Sequence, residues 1–85
     1  MKEYTEVAIH PNPLTYYAIL SIPGAIDNPY TFQLLNEKGN KVKEWSNIFS
    51  NKFIINGQFL KPGRYFYKLF CSDYKHSYYG KLNII

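Results

Sequence analysis

Three side chains in this sequence could bind a soft metal ion or form a nucleophilic pair: His10, Cys71 and His76. Their spacing matches no zinc-binding pattern. A Cys71–His76 pair would have to form across one turn, where two side chains rarely hold the required geometry without a third orienting group. Cys71 stands at an alternating position in YKLFCSD, which predicts a small buried residue rather than a reactive thiol. We therefore predict no metal site and no catalytic cysteine.

The six carboxylates have no spacing that forces a catalytic pair. All fall in predicted loops or on solvent-facing positions: Glu3, Glu6, Asp27, Glu37, Glu44 and Asp73. The five glycines are isolated from one another, so the sequence contains no glycine-rich phosphate loop. We predict that the protein is not an enzyme and uses no cofactor.

Charge and hydropathy argue against nucleic acid and the membrane interior as partners. The formal net charge is +4, but the ten basic residues are spread from Lys2 to Lys81. Nucleic-acid binding needs a concentrated basic patch, so a solvated surface is favoured. The sequence has no apolar run of about 18 residues that would suit a membrane span. Its first residues also lack the apolar region and cleavage site of a signal peptide. We expect no nucleic-acid partner and no membrane insertion.

Frequent turn signals and a high aromatic content indicate an all-β fold. Aromatic residues make up 19% of the chain, and Tyr and Phe favour strands. Turn residues recur at short intervals: HPNP at 10–13, PG at 23–24, DNP at 27–29, NEKGN at 36–40, NG at 56–57 and KPG at 61–63. This pattern predicts an immunoglobulin-like β-sandwich of about seven antiparallel strands. We expect residues 1–6 to be a frayed linker end and residues 7–85 to form one domain.

Alternation within the predicted strands indicates which side chains face the core. Before the PG turn at 62–63 the predicted inward-facing residues are Tyr16, Ala18, Leu20, Ile22, Tyr30, Phe32, Leu34, Val42, Phe53 and Ile55, with Phe59 or Leu60 closing one end. After that turn they are Tyr65, Tyr67, Leu69, Cys71, Leu82 and Ile84. In RYFYKLFC the opposite face carries Phe66, Lys68 and Phe70. Gly39 is expected to supply a positive φ in the NEKGN hairpin.

The chain has more aromatic rings than so small a core can hold. The candidates for exposure, which include more rings than the core can hold, are Tyr16, Tyr17, Trp45, Tyr74, Tyr78 and Tyr79. Exposed rings on a sandwich can stack on sugars, which would make the domain an immunoglobulin-like binding module for carbohydrate or a protein partner. Alternatively, the Tyr rings cover the sheet edges with their hydroxyl groups in water. Composition leaves both interpretations open.

Four motifs occur in order along the chain. Residues 9–13 read IHPNP, residues 35–42 read LNEKGNKV, residues 60–69 contain Leu60 followed by G-x-Y-x-Y-K-L, and residues 81–85 read KLNII. With these motifs the sequence resembles, over residues 7–85, the type A C-terminal sorting domain of the type IX secretion system of Bacteroidota. The family usually has an aromatic residue where His10 stands and Asp where Asn36 stands. These departures affect the subtype more than the family.

The resemblance implies a non-catalytic, immunoglobulin-like sorting signal at the end of a larger cargo protein. It implies export through the periplasm to the cell surface or extracellular space, with the outer-membrane type IX machinery as partner. In the family, a sortase-like cysteine peptidase usually cuts upstream of the domain and joins the cargo to an anionic lipopolysaccharide. An N-terminal cargo domain with its own export signal would then precede this chain, which we expect to be a fragment of a larger protein.

The resemblance also implies a set of motif positions: Pro11, Asn12, Pro13, Gly39, Gly63, Tyr65, Tyr67, Lys68, Lys81, Leu82 and Ile84. For residues 11–13 a rigid turn is favoured over direct recognition, because proline fixes φ and Asn12 can bond its own backbone. Residues 80–85 are interpreted as an edge strand that docks onto another sheet or permits dimerisation. Phe66 and Phe70 are candidate partner-facing residues if the fold leaves them exposed.

Overall fold

The fold consists of seven β-strands arranged in two antiparallel sheets. The computed structural model describes residues 7–24, 26–57, 60–73 and 75–85. The strands are β1 (Ala8–His10), β2 (Tyr17–Ser21), β3 (Tyr30–Leu35), β4 (Lys41–Ile48), β5 (Lys52–Asn56), β6 (Gly63–Cys71) and β7 (Ser77–Ile84). One sheet has the order β1-β2-β5 and the other the order β4-β3-β6-β7. The predicted all-β sandwich of about seven strands is confirmed.

The connections distribute both halves of the chain over both sheets. The chain crosses from β2 to β3 in the other sheet, returns with β5 beside β2, and crosses again to place β6 beside β3. β7 then pairs with β6 over eight residue positions, from Gly63↔Ile84 to Phe70↔Ser77, and becomes an edge strand of the four-stranded sheet. The three-stranded sheet is therefore complete once β5 is in place, whereas the four-stranded sheet needs the last two strands of the chain.

Alternating apolar residues from the two sheets form one core. The buried residues are Val7, Ile9, Leu14, Ala18, Leu20, Ile22, Tyr30, Phe32, Leu34, Ile48, Ile55, Tyr65, Tyr67, Leu69, Cys71, Leu82 and Ile84. The predicted inward-facing residues of β3, β6 and β7 are confirmed, as are Ala18, Leu20 and Ile22. Phe53 and Leu60 are partly buried and pack against this core. Phe59, the other candidate for closing the core, lies outside the described residues, as do residues 1–6, so neither prediction is tested.

Two predicted inward-facing residues are exposed. Tyr16 is 68% exposed because β2 begins only at Tyr17, and Tyr16 instead accepts a backbone hydrogen bond from Gly57 at 2.9 Å. Val42 is 40% exposed because the pairing of β3 with β4 shifts register there: Leu34 pairs with Lys43 and Leu35 with Lys41. Val42 is thus the extra residue of a bulge, which alternation cannot anticipate.

The hairpin between β3 and β4 is held by Asn36. Its side-chain Oδ1 accepts hydrogen bonds from the backbone amides of Lys38 and Asn40, both at 3.0 Å. Gly39 has φ of 87°, as predicted, and its amide donates to the Asn36 carbonyl at 2.9 Å. An amide oxygen accepts these bonds as a carboxylate oxygen would. Asn in place of the usual Asp is therefore compatible with the turn.

Candidate functional site

Motif residues from the two ends of the sequence meet along β7. Asn12 Nδ2 donates to the Lys81 carbonyl at 3.2 Å, and the Asn83 amide donates to Asn12 Oδ1 at 3.1 Å. The Leu14 amide donates to the Asn83 carbonyl and the Ile85 amide donates to the Leu14 carbonyl, both at 2.9 Å. The Asn12 side chain and the Leu14 backbone therefore pair with backbone groups of Lys81, Asn83 and Ile85 at the C-terminal end of the chain. We call residues 11–14 the edge clamp. The Asn12–Pro13 peptide bond within it and the His10–Pro11 bond that precedes it are both cis.

The edge clamp changes the interpretation of residues 80–85. β7 is an edge strand, but the backbone groups of its C-terminal half are already bonded to Asn12 and Leu14. A strand from another protein would have to displace the edge clamp before pairing there. Asn12 also bonds a distant strand rather than its own backbone, so that part of the turn hypothesis was wrong. Docking or dimerisation through this edge remains a proposal, with this added requirement.

Replacing Asn12 with Asp is expected to destabilise the domain by about 1–2 kcal/mol. The introduced carboxylate keeps an acceptor for the Asn83 amide but loses the donor to Lys81, so that two oxygens face each other. Urea unfolding at neutral pH measures the loss. Below about pH 4 the introduced carboxyl gains a proton and can donate again, so the loss shrinks. Asn83→Asp adds the same charge at an exposed position within β7 and is the control. Equal stability of the two variants would contradict the role of Asn12.

The G-x-Y-x-Y-K-L motif mainly builds the turn and the core. Gly63 has φ of 150°, which is accessible essentially only to glycine. The Tyr65 hydroxyl donates to the Lys61 carbonyl at 2.6 Å, linking the strand to the preceding turn as in the tyrosine corner of sandwich folds. The Tyr67 ring stacks on Phe32 with a centroid distance of 5.6 Å. Gly63, Tyr65 and Tyr67 thus have structural roles in the turn and the core.

Gly80 makes room for the Tyr67 ring, a role the sequence analysis missed. Gly80 and Tyr67 are directly opposite in the β6–β7 pairing, and a Cβ at Gly80 would lie 2.5 Å from Tyr67 Cζ. The Tyr67 ring therefore lies against the bare backbone of β7. A glycine inside a strand pattern often marks such a close approach, and this was the available signal.

Gly80→Ala is expected to destabilise the domain by about 1–3 kcal/mol, because the added methyl group forces the Tyr67 ring away from Phe32. Thermal or urea unfolding measures the change. In a Tyr67→Leu background the same substitution has a much smaller expected cost, since the ring is gone. Equal costs in the two backgrounds would show that Tyr67 is not the residue that excludes a side chain at position 80.

The outer face of the four-stranded sheet carries aromatic residues that the sequence analysis named as candidates for contact with a partner. Phe66 is 40% exposed and Tyr79 is 41% exposed, while Phe70 is partly buried. The β6–β7 register places Phe66 opposite Lys81 and Lys68 opposite Tyr79, so aromatic rings and lysines alternate. Together with Leu35, Tyr67 and Gly80 these four residues line an open groove of about 500 Å³. We call this the outer groove.

The carboxylates next to the outer groove are already paired. Glu44 accepts a hydrogen bond from Gln33 at 2.9 Å and one from Lys41 at 3.0 Å, and these contacts lower the pKa of its carboxyl group. Glu37 forms an ion pair with Arg64 at 2.9 Å. Lys68 and Lys81 have no ion-pair partner in the described part of the chain. Among the described residues, no neighbouring carboxylate therefore balances the positive charge of the outer groove.

The remaining aromatic residues do not form one surface. Tyr17 is exposed on the three-stranded sheet with Tyr16 just before it, whereas Tyr79 lies on the outer face of the other sheet. Trp45 packs against Phe32 with a centroid distance of 5.6 Å, and Tyr78 is partly buried against the core. Tyr74 lies outside the described residues. A sugar-binding platform built from the rings named above would have to use only a subset of them.

The candidates for metal binding and nucleophilic chemistry do not converge. Cys71 is buried, whereas His10 and His76 are exposed. Burial raises the pKa of the Cys71 thiol, and the nearby Asp73 carboxylate acts in the same direction. Within residues 7–24, 26–57, 60–73 and 75–85, no three His, Cys, Asp or Glu side chains are grouped to hold a metal ion. The same residues contain no helix that could cross a membrane.

Cys71 is expected to react slowly with iodoacetamide in the folded domain. Its thiol is buried and remains protonated at neutral pH, and the thiolate is the reactive form. We expect alkylation, followed by mass spectrometry, to be at least about tenfold slower than in urea-unfolded protein. A rate in the native protein equal to that in urea would show that the thiol is accessible.

Comparison with known proteins identifies the family. A search of curated proteins finds no match. The family model described as the secretion system C-terminal sorting domain matches residues 8–84, which are 77 of the 85 residues. This range includes the edge clamp, both sheets and the outer groove. The chain therefore belongs to the family of C-terminal sorting domains that act as sorting signals in type IX secretion.

Proposed function

We propose that this domain directs a cargo protein attached on its N-terminal side across the outer membrane, and that a sortase-like peptidase then removes it. The family match over residues 8–84 carries this proposal. Export to the cell surface or extracellular space follows from the family. The identity of the contacting machinery, the cleavage step and the attached cargo are the parts that need direct tests.

Two groups of motif residues support a signal that is read as a folded surface. Tyr65, Tyr67, Leu82 and Ile84 are buried, so they act by building the sandwich. Lys68 and Lys81 are exposed beside the aromatic rings of the outer groove and can contact a partner directly. Their exposure supports direct contact with the export machinery at Lys68 and Lys81.

A reporter fusion tests the sorting role. A reporter enzyme with a periplasmic export signal is fused to the N-terminal side of this chain and expressed in a Bacteroidota strain with a working type IX system. We expect reporter activity on the cell surface or in the medium, and its retention in the periplasm of a strain that lacks the outer-membrane translocon. The same reporter fused to an unrelated β-sandwich is the control. Identical locations for the two fusions would contradict the proposal.

The same fusion tests removal of the domain. If a sortase-like peptidase cuts upstream of the sandwich, mass spectrometry of the exported reporter finds no peptides from this chain. In a strain whose peptidase carries an inactivated catalytic cysteine, the intact fusion is expected instead. An exported reporter that keeps the domain in both strains would restrict the function to sorting without cleavage.

An immunoglobulin-like binding module is the second candidate function, and the exposed rings of the outer groove favour it. Under this hypothesis the domain would bind a carbohydrate or protein partner and no export would depend on it. A glycan array probed with the purified domain, followed by Tyr79→Ala, tests the carbohydrate form. Binding that Tyr79→Ala abolishes, together with a reporter that stays periplasmic, would favour this candidate over sorting.

A further inference from the structure

We propose that the outer groove binds an extended acidic peptide segment in which an apolar side chain is flanked by carboxylates. This inference rests on the proposed function only for the location of the partner, which we place in the export machinery. The binding itself depends on the groove and can be measured with the isolated domain.

The arrangement of rings and charges in the groove specifies this chemistry. Phe66 and Lys68 on β6 lie opposite Lys81 and Tyr79 on β7, so the two lysines occupy diagonal corners. Diagonal neighbours on antiparallel strands are about 7–8 Å apart, within the reach of long side chains. The ammonium groups can therefore approach a ligand from two sides while the rings contact its middle.

The exposed rings supply the apolar part of the binding energy. Phe66 and Tyr79 are each about two-fifths exposed, and the partly buried Leu35 continues the same surface. Covering this surface with one apolar side chain removes it from water, and partly exposed aromatic residues are typical anchors of protein interfaces. An apolar residue at the centre of the ligand fits this part of the groove.

Charge complementarity determines what flanks that apolar residue. Lys68 and Lys81 lack ion-pair partners among the described residues, while nearby Glu44 and Glu37 are engaged by Lys41 and Arg64. Carboxylates from a partner would therefore meet unpaired lysines rather than compete with existing ion pairs. A second copy of this domain is disfavoured, because each copy carries a formal net charge of +4.

The groove suits a peptide better than a sugar. Sugar-binding sites combine a ring for stacking with side chains that hydrogen-bond several hydroxyl groups. The described residues lining the outer groove include no Asn, Asp, Gln or Glu; they are Leu35, Phe66, Tyr67, Lys68, Tyr79, Gly80 and Lys81. The lining thus offers apolar surface and two cations, which match alternating apolar and acidic side chains.

Titration of the isotope-labelled domain with short peptides, followed by NMR, tests this inference. The probe is Glu-Ser-Phe-Ser-Glu, compared with Gln-Ser-Phe-Ser-Gln, Lys-Ser-Phe-Ser-Lys and Glu-Ser-Ser-Ser-Glu, all blocked at both ends. We expect the acidic probe to shift the amide signals of Phe66, Lys68, Tyr79 and Lys81 with a Kd on the order of 1 mM at low salt. The other three peptides are expected to bind at least about tenfold more weakly.

Charge-reversal variants provide the matched control. The double variant Lys68→Glu, Lys81→Glu is expected to lose affinity for the acidic probe and to gain affinity for the lysine peptide. The control double variant Lys61→Glu, Lys75→Glu changes the net charge equally at exposed loop positions. It is expected to bind the acidic probe with unchanged affinity. Equal binding of the glutamine and glutamate peptides, or equal losses in the two double variants, would overturn the inference. Tighter binding of an oligogalacturonate at the same amides would overturn it in favour of an anionic sugar.

The reporter fusion separates this inference from the sorting role. If the groove contacts the export machinery, Lys68→Glu, Lys81→Glu lowers export while the domain stays folded, and Lys61→Glu, Lys75→Glu does not. If the Lys68→Glu, Lys81→Glu fusion is exported as well as the wild-type fusion, the outer groove is not the contact site. The sorting role would remain intact. Acidic-peptide binding by a domain that exports no reporter would support the groove chemistry while contradicting the proposed function.

Discussion

Removing residues 81–85 is expected to unfold the domain rather than only to delete a signal. Leu82 is fully buried and Ile84 is 3% exposed, so the truncation removes two core side chains. Losing one such side chain typically costs about 2–5 kcal/mol, against a total stability of about 5–15 kcal/mol for a domain. The truncation also leaves the start of β6 without its partner strand and the edge clamp without hydrogen-bond partners.

Circular dichroism and urea unfolding of the truncated domain measure this effect. The matched control is Lys81→Ser, Ile85→Ser, which changes two exposed residues of the same segment and keeps the core and the clamp's backbone bonds. We expect the control to unfold cooperatively near the wild-type midpoint and the truncated chain to show no cooperative transition. A truncated chain with an unchanged transition would show that the terminal strand is dispensable for folding. Loss of export in a truncated cargo cannot by itself identify residues 81–85 as the contact site.

Alternation predicted the strands that have one face against the core. In β3 and β6 every second residue is buried, so Tyr30, Phe32 and Leu34 could be assigned from the sequence alone. β4 could not be assigned in this way, because its bulge makes Val42 the unpaired residue and Trp45 the one that packs against Phe32. A bulge follows from the pairing of two strands, which is not encoded in the local pattern of either.

The two parts of the candidate site depended on information that a local pattern does not contain. The edge clamp joins Asn12 to Lys81 and Asn83, which lie 69 and 71 positions later in the sequence. The local pattern PNP could therefore indicate only a turn. The outer groove depends on the register that places Phe66 opposite Lys81. The sequence did show that Phe66 and Lys68 share a face, but it could not show that a lysine and a tyrosine from β7 complete the groove.

These contacts divide the family motif by physical role. Residues in the edge clamp, the tyrosine corner and the core keep β7 in place, whereas Lys68 and Lys81 present charge to the outside. Substitution of the first group is expected to lower stability and export together. Substitution of the second group is expected to leave the free energy of unfolding nearly unchanged. Stability and export must therefore be measured on the same variants to assign any motif residue to recognition.

Leu14→Ala is expected to destabilise the domain by about 2–5 kcal/mol and to loosen β7 selectively. Leu14 is fully buried, forms a parallel bridge with Ile84, and fills the space in which a Gly57 side chain would otherwise lie. Its backbone also bonds Asn83 and Ile85, so a shift of Leu14 weakens the whole edge clamp. Urea unfolding measures the stability loss. Hydrogen exchange is expected to accelerate more at the Asn83 and Ile85 amides than at β6 amides bonded to β3.

Thr15→Ala is the matched control for Leu14, because the neighbouring side chain is exposed. If residues 11–14 act only as a clamp, export of a Leu14→Ala fusion falls in proportion to the fraction of folded domain and recovers at a lower growth temperature. A Leu14→Ala domain with wild-type stability would contradict the clamp. A variant that remains folded at the growth temperature but is not exported would instead show that the machinery contacts the P-N-P-L segment itself. Because the clamp and the terminal strand are bonded to each other, only this comparison separates holding β7 in place from being recognised.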